Sequence, residues 1–166
     1  MIVTIDGVAG AGKTMLASAM KEKYKNHFSV QVIHMDDLYN GWENPFAPVL
    51  SKKLIEIVQA HLAATSYETT IHNWLDSVAE SRLIVEPADM LIIEGVGSGQ
   101  RSIREFVSTK IWIEFDPIVG LKRVLARDGA NIEKEMLGFL EDQRVHFIEE
   151  GTREAADFLL FGKASL

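Results

Sequence analysis

The chain has 166 residues, 47% of them hydrophobic and 25% charged, which suits one soluble globular domain with a sizeable core. It contains no cysteine, which excludes disulfides, thiolate metal sites and a cysteine nucleophile and is compatible with the cytoplasm. Seventeen basic residues against 24 acidic ones give a net charge of −7, which argues against a nucleic-acid partner. No apolar run is long enough to span a bilayer, and the first residues lack the pattern of a secretory signal.

The β-branched run Ile2-Val3-Thr4-Ile5 predicts a first strand. Directly after it, Gly7-Val8-Ala9-Gly10-Ala11-Gly12-Lys13-Thr14 fits the phosphate-binding pattern G-x-x-x-x-G-K-[ST], with an additional glycine at the fourth position. Met15-Leu16-Ala17-Ser18-Ala19-Met20-Lys21 is a good helix former, so a helix is expected from near Gly12 to about Asn26. Strand, glycine loop and helix N-terminus together make a P-loop: backbone N–H groups and the helix dipole converge on phosphate oxygens. The loop from Gly7 through Thr14, with Met15, is therefore expected to bind ATP. Lys13 would reach the β- and γ-phosphates, and the Thr14 hydroxyl would hold Mg²⁺.

A second strand is expected at Val30-Gln31-Val32-Ile33-His34-Met35. It runs into Asp36-Asp37-Leu38-Tyr39 and a loop rich in Asn, Gly and Pro up to Pro48. Leu50, Leu54, Ile57 and Val58 share one stripe of a helix. Residues 65–87 are hardest to assign, with a short strand within Ser81–Pro87. The apolar run Met90-Leu91-Ile92-Ile93 ends in Glu94 and Gly95, as a strand buried on both faces should. Lys110–Phe115 predicts another strand. A helix is expected from Pro117 to about Asp128, a further one over Ile132–Glu150, and Phe158–Phe161 closes the sheet. This alternation predicts an α/β fold: three layers, one mostly parallel sheet of about five strands, helices on both faces, a single domain over 1–166.

Open α/β sheets bind ligands at the carboxyl ends of their strands. Asp36 lies there, placed to take a proton from a substrate hydroxyl or to hold Mg²⁺ through water. Asp37 reads better as a turn or cap residue. Glu94 ends its strand as an acid that can organise Mg²⁺. Arg123 and Arg127, four apart, share a helix face and can follow the moving phosphoryl group. Arg144 and Arg153 come later without a placed motif. Tyr39, Trp42 and Trp74 can either stack on a planar base or serve as satellite core. His34, His72 and His146 lack metal-ligand spacing.

Taken in order, the P-loop, Asp36-Asp37-Leu38-Tyr39, Leu91-Ile92-Ile93-Glu94-Gly95, Arg123…Arg127-Asp128 and Ala156-Asp157-Phe158-Leu159-Leu160 resemble the uridine kinase branch of the P-loop nucleoside and nucleotide kinases. The likeness covers nearly the whole chain. It implies that Asp36 is the base for the acceptor 5′-hydroxyl, that Lys13 and the loop amides hold ATP, and that Thr14 and Glu94 organise Mg²⁺. It further implies that Tyr39 lies in the acceptor pocket, with Arg123 and Arg127 as lid-side cations; Trp42, His72 and Trp74 are further candidates for that pocket. The chain departs from the branch in two places. His72-Asn73-Trp74 stands where uridine kinases have Tyr-Asp-Phe, and 128–135 carries no arginine after Arg127, so the lid is reduced or completed by Arg144 or Arg153. Ile5-Asp6-Gly7 is also similar to the opening of cytidylate kinases. A nucleoside acceptor is thus expected, with a nucleoside monophosphate or another metabolite as the alternative. An ATP-binding sensor is the reading of a different class. A homo-oligomer is compatible with all of these.

Overall fold

A computed structural model describes residues 1–71 and 81–162. Five parallel strands form one sheet: β1 (Ile2–Gly7), β2 (Val30–His34), β5 (Met90–Glu94), β6 (Thr109–Glu114) and β7 (Phe158–Phe161). Their order is β2-β5-β1-β6-β7. Between β2 and β5 the chain forms a separate antiparallel pair, β3 (Tyr67–Ile71) with β4 (Ser81–Val85). The helices are α1 (Lys13–Tyr24), α2 (Pro48–Leu62), a short α3 (Arg101–Arg104), α4 (Pro117–Asp128) and α5 (Glu133–Glu150). No helix among the described residues is long and apolar enough to cross a membrane.

The sheet is covered on both faces, which is why its central strands read as unbroken apolar runs. Alternate residues of a strand point to opposite faces. Ile2, Ile33, Leu91 and Ile93 therefore enter one core with Leu50, Leu54 and Ile57 of α2 and Phe139 of α5. Val3, Ile5, Met90 and Ile92 enter the other with Ala17 of α1, Ile113 and Phe115. Each such side chain, fully buried, contributes about 1.5–3 kcal/mol.

The α/β class, the parallel sheet and the five main strands agree with the expectation from sequence. Several boundaries move, each for a local reason. β1 runs on to Gly7 because it is central and pairs with both β5 and β6. β2 stops at His34, since Met35–Asp37 is a 3-10 turn rather than strand. α2 begins at Pro48, whose missing N–H is no loss in the first turn, and continues to Leu62. The 65–87 segment holds two strands instead of one. α3 had no sequence signal, being only four residues long. Pro117 opens α4 as expected, and the Asp116 carboxylate caps it by accepting from the Ile118 and Val119 N–H groups.

Candidate functional site

The phosphate loop connects β1 to α1 and lies against α4 with almost no space to spare. A Cβ on Gly10 would sit 2.3 Å from the Gly120 carbonyl oxygen, and one on Gly120 would sit 2.2 Å from the Ala9 carbonyl oxygen. Gly10 also has a φ of +75°, which side chains rarely adopt. Both glycines are therefore required by backbone contact. From α5, the buried Gln143 accepts the Ala9 N–H at 3.1 Å. Arg123 of α4 lies over the Phe115 ring at 4.4 Å and donates to the Gly10 carbonyl at 3.4 Å.

Lys13 is buried, 7% exposed, and folds back to donate to the Gly7 and Val8 carbonyls, each at 2.8 Å. Burial holds its pKa below the usual lysine range, against the opposing pull of Asp6, Asp36 and Glu94. The next residue, Thr14, donates its hydroxyl to Glu94 Oε1 at 2.9 Å. Parallel pairing sets His34 opposite Glu94, and His34 Nδ1 meets the same oxygen at 2.5 Å. That hydrogen bond raises the His34 pKa, against partial desolvation.

Asp36 stands in the 3-10 turn just beyond β2. Its surface is open to solvent, yet the surrounding protein withdraws enough water to raise its carboxyl above the ordinary value. Lys13 and Arg127 oppose that rise, while Glu94 and Asp37 add to it. Asp37 is half-exposed and raised by desolvation, with His34 opposing. The structure thus gathers Lys13, Thr14, Asp36, Glu94 and Arg127 into one electrostatic cluster at the carboxyl end of the sheet. Hydroxyl and carboxylate oxygens are the donors that suit Mg²⁺. Among the described residues no three His, Cys, Asp or Glu side chains gather as a metal site, so an ion there would draw further ligands from phosphate and water.

Several expected site residues are turned into the core or tied up by neighbouring acids. Tyr39 is not a pocket wall: it is 2% exposed, donates its hydroxyl to the Val96 carbonyl at 2.7 Å, and packs edge-on to Phe46 and Phe139. The 3-10 turn over Met35–Asp37 carries the chain inward and brings Tyr39 into the core. Trp42 is half-buried against that core, edge-on to Phe139. Arg127 pairs in parallel with Asp128 at 2.6 and 2.7 Å. Arg144 is held by Glu141 on the surface of α5, and Arg153 by Glu114 at the end of β6. Between α4 and α5 lie only Gly129 and a 3-10 turn over Ala130–Ile132. His72 and Trp74 lie outside the described residues. Sequence reasoning missed Gln143 and the His34–Glu94 contact. It also missed the contacts of Asp6, noted only as part of a motif: its buried carboxylate accepts from the Gly7, Gly97 and Gly99 N–H groups.

Known proteins resemble this chain over most of its length. A uridine kinase from Latilactobacillus sakei is 26% identical over 96% of this chain and 84% of its own length. A structure described as a possible uridine kinase from Bacillus stearothermophilus superposes with a TM-score of 0.68 over 96% of this chain and 88% of that one, at 18% identity. The chain is similar to curated uridine kinases and has the P-loop kinase fold. A cytidylate kinase from Methanococcoides burtonii is 27% identical over 90% of this chain and 80% of its own length. No family model matches. The relatives together support a P-loop small-molecule kinase, a phosphotransferase that binds a nucleotide.

Proposed function

We propose that the chain transfers the γ-phosphoryl group of ATP to a hydroxyl of a nucleoside of the uridine or cytidine type. The observation that carries this reading is the shared field of Lys13 and Asp36. The lysine of the glycine loop lies within the field of a carboxylate whose proton affinity burial raises, at the carboxyl edge of one sheet. Binding alone needs no base there, which favours transfer over an ATP-binding sensor.

In this reading the loop amides and Lys13 hold the triphosphate, and Arg127 and Arg123 steady its charge. Thr14 and Glu94 would hold Mg²⁺, which would supply charge neutralisation for the phosphates. Asp36 accepts the proton of the attacking hydroxyl, and its raised pKa improves it as a base. His34 fixes the Glu94 carboxylate through Nδ1. Catalysis rests on position and charge rather than on covalent chemistry.

Charge balance favours a neutral acceptor. Asp36 feels the carboxylates of Asp37 and Glu94 against the cations of Lys13 and Arg127. Arg144 and Arg153 are already held by acids. A monophosphate acceptor would bring more negative charge into this balance. The likeness to a cytidylate kinase keeps a nucleoside monophosphate as the second reading. Incubation with Mg²⁺-ATP and pooled nucleosides, nucleoside monophosphates and small alcohols, followed by mass spectrometry, separates the two. A nucleoside one phosphoryl heavier is expected. A diphosphate product would move the assignment to the second reading, and absence of any product despite ATP binding would favour the sensor.

A further inference from the structure

Asp6 is a buried acid for which the transfer chemistry has no use. It ends the face of β1 that carries Ile2 and Thr4, and it is 3% exposed. Its two oxygens take three backbone N–H groups from two different loops. Oδ1 accepts from Gly7 at 2.7 Å and from Gly97 at 3.0 Å, and Oδ2 accepts from Gly99 at 2.9 Å. Gly7 opens the phosphate loop. Gly97 and Gly99 belong to the turn that follows Glu94.

The surroundings leave this turn little freedom. Gly97 has a φ of +81°, and a Cβ there would lie 3.0 Å from His146 Nε2 and 3.3 Å from the Phe46 ring. A Cβ on Gly99 would lie 3.2 Å from Asp6 Oδ2. The glycines let the turn close on the carboxylate, and the carboxylate binds the turn to the start of the phosphate loop. Three charge-assisted bonds to one buried group make a strong local tie.

We propose that Asp6 is a positioning residue: its carboxylate locks the phosphate loop to the turn behind Glu94, and so sets Lys13 and Thr14 in register with that acid. The proposal rests on the nucleotide-binding reading for its consequence, and on geometry alone for the lock itself. The lock depends on ionisation, because a protonated or amidated side chain cannot accept all three bonds equally well. Burial raises the Asp6 carboxyl to about 6, against its three amide partners and the Lys13 ammonium. The other titratable or charged groups around it are the Tyr39 phenol, the His146 imidazole against Gly97, Arg104 of α3, which donates to the Gly99 carbonyl at 3.0 Å, and Glu94 at the end of β5. Trp112 and Thr152, also nearby, are uncharged.

Two measurements on the full chain test it. In ligand-free protein, the amide resonances of Gly7, Gly97 and Gly99 should move together with pH, with one midpoint near 6, and should stay still in Asp6→Asn. Calorimetry should show Asp6→Asn losing about tenfold in Mg²⁺-ATP affinity, the scale of loss for residues that orient metal ligands. Affinity for ATP in EDTA should change much less, since Lys13 and the loop amides remain. Thr4→Val, on the same face of β1, should leave both readouts unchanged. Independent titration of the three amides, or equal loss of both forms of ATP, would overturn the proposal. If the wild-type chain bound no ATP at all, the nucleotide reading would fall, and the amide titration would still decide the lock.

Discussion

The two ends of the candidate site are built differently. The phosphate end is a backbone structure: Gly10 and Gly120 touch main chain to main chain, and Lys13 is parked on loop carbonyls. The acceptor end is a side-chain structure: Asp36 opens to solvent, while Tyr39 beside it turns into the core. Backbone geometry leaves a fixed spacing of glycines in the sequence. A pocket made of side chains leaves no such spacing, and it can change its ligand while the fold persists.

At the phosphate end, the largest effect that would break this contrast concerns Lys13. Lys13→Ala should lower turnover by about 10²–10³-fold, as for removal of one donor to developing charge. Steady-state rates check this, and unchanged turnover would remove the phosphate end from the chemistry. Gly10→Ala comes next. Its Cβ meets the Gly120 backbone, so about 1–3 kcal/mol of stability should go, together with nucleotide affinity. Urea unfolding and ATP titration read the two losses, and a variant as stable as the parent would show that the loop contact is loose.

Asp6 links stability to pH. Its folded pKa, about 6, lies above the ordinary 3.8, so the folded state holds the proton more tightly than the unfolded chain does. The resulting stability is present below pH 4 and is lost as pH rises through 6, by about 3 kcal/mol. Asp36, Asp37 and His34 are raised and act in the same direction, whereas His146 is lowered and acts against them. The difference between wild type and Asp6→Asn in unfolding midpoints at several pH values isolates the Asp6 part. A constant difference across the range would contradict the assignment. The smallest effect is Tyr39→Phe. Losing the bond to the Val96 carbonyl should remove about 1 kcal/mol while the acceptor KM stays unchanged. A rise in KM would return Tyr39 to the acceptor pocket.

The same contrast explains what was legible in the sequence. The apolar runs at Ile2 and Met90 and the loop Gly7–Thr14 could be read because period and spacing are local. Pro117 and the stripe Leu50, Leu54, Ile57 and Val58 were legible for the same reason. Gln143 meets Ala9 across 134 positions, Asp6 meets Gly97 across 91, and His34 meets Glu94 across 60. No local pattern records such pairs. A signal for Asp6 did exist: an acid directly before the phosphate loop, in a strand with no other charge, needs a partner once buried. Tyr39 was misplaced because a 3-10 turn of three residues decides which way it faces, and Met35–Asp37 gives no periodic sign of one.

The central claim is that Asp36 and Lys13 form the acceptor and donor poles of one transfer site. Its most direct test follows the labelled γ-phosphoryl of ATP into the acceptor for wild type and Asp36→Asn, with ATP affinity measured separately. The account predicts ATP affinity close to wild type and transfer slower by about 10²–10⁴-fold, the contribution of a positioned base. Transfer at the wild-type rate by Asp36→Asn would contradict it.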